Sequence, residues 1–195
     1  MYNLKVISST TRPGRKGPII ANWITELANR HDSFNVEMLD LGGIKLPMMN
    51  EPHHPKLGKY VNEHTKQWSG KIGEADAFIF VTAEYNHTYP ASLQNALQYL
   101  SKEWNYKAAG IVSYGGVSAG TRAYIDLKRD LLTFKMAPLV EAVNIPFFTQ
   151  YINDEDLLVP NKVMEKSAVA MLDELARWSA GMKVIKENRA VALDD

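Results

Sequence analysis

Residues 77–97 read AFIFVTAEYNHTYPASLQNAL. The first seven are almost all apolar. A run of that kind fits a strand covered on both faces, as in parallel sheets. A polar turn with two tyrosines follows, and then Pro90 ahead of a stripe at Leu93, Ala96, Leu97 and Leu100. Proline suits a helix start, where the first N–H groups have no helical partner. The stretch is therefore strand, loop and helix in succession.

The same unit recurs along the chain. Further strands are predicted at LKVIS (4–8), FNVEML (34–39), AAGIVSY (108–114) and LVEAVNIPF (139–147). Helical spacing joins Ile20, Trp23, Ile24 and Leu27, and again Tyr124, Leu127, Leu131 and Phe134. A last helix carries Met164, Ala168, Met171, Leu172, Leu175 and Trp178, and a weaker one Val61, Thr65, Trp68 and Ile72. Core packing accounts for these stripes. Five strand–helix alternations predict an α/β fold with a parallel sheet and right-handed crossovers. One domain is expected over 1–182. The tail 183–195 is polar at its end and is expected to be mobile.

Composition narrows the function. The chain has 195 residues, 46% of them hydrophobic, and its 22 basic and 22 acidic side chains cancel. That balance offers no basic stripe for nucleic acid. There is no cysteine, so disulfide and thiolate chemistry are excluded. No segment has the length and apolarity of a membrane span or a secretory leader, and a cytoplasmic protein is expected. His53 and His54 lack a third ligand at useful spacing, so no metal site is expected.

In open parallel sheets ligands bind beyond the carboxyl ends of the strands. Three loops there carry unusual residues. The first, SSTTRPGRKGPII (8–20), supplies hydroxyls at Ser8, Ser9, Thr10 and Thr11 and guanidinium groups at Arg12 and Arg15. Gly17 is expected as the N-cap of the following helix and Pro18 as its first residue, with the amides of Ile19 and Ile20 free. Hydroxyls, free amides and a helix dipole suit a phosphate. Neither G-x-x-x-x-G-K-[ST] nor G-x-G-x-x-G is present, so a single phosphate monoester fits better than a pyrophosphate. The second loop, Glu84-Tyr85-Asn86-His87, presents flat rings and backbone to a planar ligand. His87 has no acid partner at motif spacing and is read as a pocket residue, so no catalytic side chain is assigned. The third, SYGGVSAGTRA (113–123), has Gly115, Gly116 and Gly120 for close backbone approach, with Ser118 as expected N-cap.

Together the three loops resemble the NADPH-dependent FMN reductase family of flavodoxin-like proteins, which includes quinone and azo-dye reductases. SSTTRPGR (8–15) is similar to the family's GSTRPGR. AEYNHTYPASLQNALQYL (83–100) is similar to PEYNHGYPAALKNALDYL. Glu103 and Trp104 match the pair that often follows, and SYGG with a later G-x-R-A matches the third loop. The resemblance covers roughly residues 3 to 180. It implies a three-layer, flavodoxin-like sandwich with strand order 2-1-3-4-5. It also implies FMN and NADPH (or NADH) as cofactors, with a small acceptor such as free flavin or a quinone. Ser9, Thr10, Arg12 and the backbone of Gly17, Pro18 and Ile19 would hold the phosphate. Glu84, Tyr85, Asn86 and His87 would line one side of the ring, and Ser113, Tyr114, Gly115 and Gly116 another edge. The family implies a homodimer or homotetramer, with Trp68, Trp104 and Tyr106 as interface candidates. Ser9, Ala83 and Gln94 depart from the family's glycine, proline and lysine. A flavodoxin-type electron carrier is the competing reading. Such carriers are strongly acidic, and this neutral chain favours the enzyme. Arg15 and Lys16 are weak candidates for recognising a 2′-phosphate.

Overall fold

The computed structural model describes residues 1–188. Five parallel strands form one sheet in the order β2-β1-β3-β4-β5. They are β1 (Tyr2–Ser8), β2 (Phe34–Asp40), β3 (Ala77–Ala83), β4 (Ala108–Tyr114) and β5 (Ala137–Ile145). The two continuously apolar runs, β3 and β4, are buried at every residue. β5 begins two residues earlier than the apolar pattern indicates, and it ends before Pro146.

Period two sorts the strand side chains into two cores. Ala77, Ile79, Val81 and Ala83 face a layer made by α1 (Gly17–Asn29) and α6 (Lys162–Asn188). Phe78 and Phe80 face the layer of α3 (Glu63–Gly73), α4 (Ala91–Gln98) and α5 (Thr121–Thr133). A one-turn helix, α2 (Leu41–Ile44), follows β2. Trp68 and Trp104 are fully enclosed in the second core, and each indole N–H reaches a backbone carbonyl of the α4 helix, Ala96 and Leu97 respectively. Both are therefore core residues and not surface residues of an interface.

Helix α6 continues to Asn188, so residues 183–188 are helical, while 189–195 lie outside the described residues. On the same helix Met164, Ala168, Met171, Leu172 and Leu175 are buried as the stripe predicts, but Trp178 is half exposed. Val61 precedes α3 and is exposed. Among the described residues no helix is long and apolar enough to cross a membrane.

Candidate functional site

β1, β3 and β4 lie side by side and end together: Ser8 pairs with Val81, and Ala83 with Tyr114. The three loops singled out in the sequence therefore leave the sheet at one edge.

The first loop turns sharply behind Gly14, whose φ is +69°. Helix α1 begins one residue earlier than expected. Lys16 is the N-cap, Gly17 is the first helical residue and Pro18 the second. The amide of Ile19 donates to the Lys16 carbonyl at 3.1 Å and is not free for a ligand. The side-chain hydroxyls of Ser8, Ser9 and Thr10 are all buried without a hydrogen-bond partner. An unmade bond of that kind costs about 1–3 kcal/mol. Three in consecutive residues at one sheet edge make it a candidate ligand site. A Cβ on Gly17 would lie 2.3 Å from Thr10 Oγ1, 2.8 Å from the Tyr114 hydroxyl and 3.4 Å from Ser8 Oγ. Glycine is thus required at the point where these hydroxyls converge. Burial pushes the Tyr114 phenol up to about 12, so it stays a neutral donor.

Two arginines in this loop have different work. Arg15 forms a fork with Asp40 at the end of β2, at 2.5 and 2.7 Å, and donates to the Thr10 carbonyl at 3.0 Å. Its guanidinium lies so close to Gly42 that a Cβ there would come within 2.6 Å of it. The fork keeps the Arg15 guanidinium firmly charged, its pKa raised chiefly by the hydrogen bond to Asp40 and opposed by burial. Arg15 braces the loop. Lys16 pairs with Asp156 at 2.7 Å. Arg12 is exposed, and its one hydrogen bond is a long one, 3.3 Å, to the adjacent Pro13 carbonyl. It is the cation this loop presents outward. Ser92, at the start of α4, ties the second loop to the first through a hydrogen bond to the Ser9 carbonyl. A cleft of about 480 Å³ opens beside the first loop, among Thr11, Gly42, Lys45, Met48 and Ser92.

The second loop is a two-residue hairpin. Tyr85 and Thr88 exchange backbone hydrogen bonds at 2.8 and 3.0 Å, and Asn86 and His87 both have positive φ, +48° and +72°. These are the signs of a type I′ turn, which asparagine tolerates and histidine tolerates less well. Asn86 and His87 are exposed, and Tyr85 is half-buried. Glu84 differs from its expected position along a ligand. Its buried carboxylate accepts from Ser118 Oγ at 2.9 Å, from Arg122 Nη1 at 2.6 Å and from the Arg122 backbone N–H at 3.1 Å. Burial alone would raise its pKa, but those donors hold the carboxyl below its usual range.

The third loop is fastened on both sides. Ser113 Oγ reaches Asn144 Oδ1 at 2.7 Å and the Ala119 carbonyl at 2.9 Å. The Gly115 amide donates to the Ile145 carbonyl. Gly116 has open space beside its α carbon. The N-cap of α5 is Gly120 and not Ser118. At φ +77°, with Tyr114 backbone 2.7 Å from where a Cβ would be, Gly120 admits no side chain. Asp40, Ser92 and Arg122 were not picked out from the sequence. Asp40 had one available signal: it ends the strand next to β1.

Orphaned hydroxyls at a helix start, a tyrosine hairpin and a glycine turn thus share one sheet edge of a flavodoxin-like fold, which is the candidate cofactor site. Residues 2–150 match the family described as NADPH-dependent FMN reductase, and the chain belongs to that oxidoreductase family. It is 43% identical over 145 residues to an NAD(P)H-dependent FMN reductase of Schizosaccharomyces pombe, covering 72% of each chain. It is 26% identical over 196 residues to a quinone reductase of Pseudomonas putida, covering 98% of each. Its fold is similar to that of FerB, a flavoenzyme NAD(P)H:(acceptor) oxidoreductase of Paracoccus denitrificans. That match has a TM-score of 0.76 and 20% identity, over 93% of this chain and 99% of that one.

Proposed function

We propose that the protein is an FMN-dependent NAD(P)H oxidoreductase that delivers reducing equivalents to a small acceptor, free flavin, a quinone or similar. The observation that carries this is the row of unsatisfied hydroxyls of Ser8, Ser9 and Thr10, two of which converge on Gly17 at the start of α1. Donors of that kind fit a phosphate monoester, with Arg12 free to swing onto it. FMN bound there would supply the redox chemistry that links a nicotinamide to an acceptor.

The chain's own residues bind and orient. Ser9, Thr10, Arg12 and the first turn of α1 grip the phosphate end. The Tyr85–Thr88 hairpin borders the ring and excludes water on one side. The Tyr114–Gly116 backbone would lie along another edge, where the Gly116 amide would be available as a hydrogen-bond donor to the bound ring. Glu84 holds the hairpin and the glycine turn at a fixed distance. The hydride step needs no proton donor, and the one proton taken up when a quinone is reduced comes from solvent, so no side chain is assigned to proton transfer. One pocket serving two substrates in turn implies ping-pong kinetics. As the family resemblance implies, the working unit is a homodimer or homotetramer. Initial rates at several fixed acceptor concentrations test the kinetic reading: parallel double-reciprocal lines support it, and intersecting lines overturn it.

A further inference from the structure

At the opposite edge of the sheet, ahead of β4 and β5, lies a second cavity of about 520 Å³. Seven-residue strands separate the two edges by roughly 20 Å. Four lysines line this cavity, and each comes from a different segment. Lys56 stands in the loop before α3, Lys102 after α4, Lys135 in the α5–β5 turn and Lys186 near the end of α6. Ser101 and Thr133 add hydroxyls, and no carboxylate is in the lining. None of the four lysines has an ion-pair partner among the described residues. The nearby acids are mostly engaged elsewhere. Glu103 accepts from Ser69 Oγ and the Ser101 N–H, and Asp76 from the Asn3 N–H. Asp76 and Glu187 line an adjoining cavity, together with Lys107, Lys183 and Lys186.

The chain as a whole is neutral. Four exposed lysines lining one hollow with no carboxylate are then a local asymmetry of charge. Lys135 is held there at a φ of +56°, a backbone conformation lysine does not favour. Lysine acts as a point-charge donor to phosphate oxygens. A single phosphate carries too little charge to balance four ammoniums, and the hollow is too large for it. We propose that this cavity binds a small polyanion bearing two or more phosphates, as in a nucleoside triphosphate or an inorganic polyphosphate. The site is separate from the carboxyl-edge loops and does not depend on the function proposed for them.

The test is calorimetric titration of the full-length protein, with FMN present in excess, in metal-free buffer of fixed ionic strength. The probes are tripolyphosphate, ATP and inorganic phosphate. Tripolyphosphate should bind saturably, one per chain, at least tenfold more tightly than inorganic phosphate. Lys102→Ala with Lys135→Ala should weaken it roughly tenfold or more. The paired control, Lys162→Ala with Lys166→Ala at the other end of α6, should leave it unchanged. These lysines are exposed, so melting curves should show all variants folded. ATP equal to tripolyphosphate assigns recognition to the phosphates alone, and tighter ATP adds the nucleoside; both support the site. Absence of saturable binding by either compound, or equal losses in the two double variants, would overturn it.

Discussion

The carboxylate of Glu84 reaches across from the second loop and closes a two-point contact with Arg122, through its side chain at 2.6 Å and its backbone N–H at 3.1 Å. Ser118 completes the clamp. Glu84→Ala leaves donors of the third loop unpaired. It should lower stability by roughly 1–3 kcal/mol and weaken FMN binding, while Glu84→Gln keeps an acceptor and recovers part of both. The pH dependence has a defined sign. The folded pKa of Glu84 is depressed, so its contribution is complete above the ordinary carboxylate range and is lost as pH falls through the folded value. Acid unfolding followed by circular dichroism should therefore begin at higher pH in wild type than in Glu84→Gln, once the curves are normalised to neutral pH.

The two arginines of the first loop separate affinity from stability. Arg12 is exposed and unbraced, so Arg12→Ala should weaken FMN roughly ten- to a hundredfold, barely change riboflavin binding, and leave Tm unmoved. Arg15 forks onto Asp40 beneath the loop. Arg15→Ala should lower Tm and weaken FMN and riboflavin alike. Flavin fluorescence titrations alongside melting curves distinguish the two patterns.

Lys107 gives a second pH signature. Its ammonium donates to the carbonyls of Ile72 and Gly73 at the end of α3, yet burial pushes its pKa down to about 7. Between that value and the ordinary lysine range the unfolded chain binds a proton the folded chain has lost, so stability rises with pH across that window. Denaturant unfolding of wild type and Lys107→Met should show wild type gaining on the variant from pH 7 to pH 10. A constant difference would mean that Lys107 keeps its proton in the fold.

The five strands and the positions of the three loops were legible because they rest on patterns local to each segment, whereas strand order came only with the family resemblance, since no local pattern reports it. The continuous apolar run at 77–83 and the stripe after Pro90 are sufficient for a parallel βα unit. The loop chemistry was partly legible. Hydroxyls at Ser8–Thr10 pointed to phosphate, and the structure adds that they are buried and unpaired. What the sequence hid was pairing across loops. Glu84 with Arg122, Arg15 with Asp40 and Ser92 with Ser9 are 38, 25 and 83 residues apart. No periodicity reports such contacts. Tryptophans 68 and 104 were ambiguous for the same reason, since an aromatic side chain suits a core or an interface equally until its surroundings are known.

His87 should prove a turn residue. It is exposed and sits at φ +72°, so His87→Gly should relieve backbone strain, keep Tm at or above wild type, and retain most of the rate of flavin reduction. Stopped-flow reduction of the FMN-loaded variant checks this. Loss of reduction with FMN still bound would make His87 a catalytic residue.

In the proposed reaction one site takes electrons from a nicotinamide and passes them on without a partner protein. Anaerobic mixing of the FMN-loaded protein with NADPH alone tests it most directly, followed by addition of a quinone after the nicotinamide is spent. The visible flavin absorbance should disappear in the first step, at a rate no slower than steady-state turnover, and return in the second. Flavin that stays oxidised with both NADPH and NADH would contradict the account and make the protein an electron carrier that needs a separate reductase.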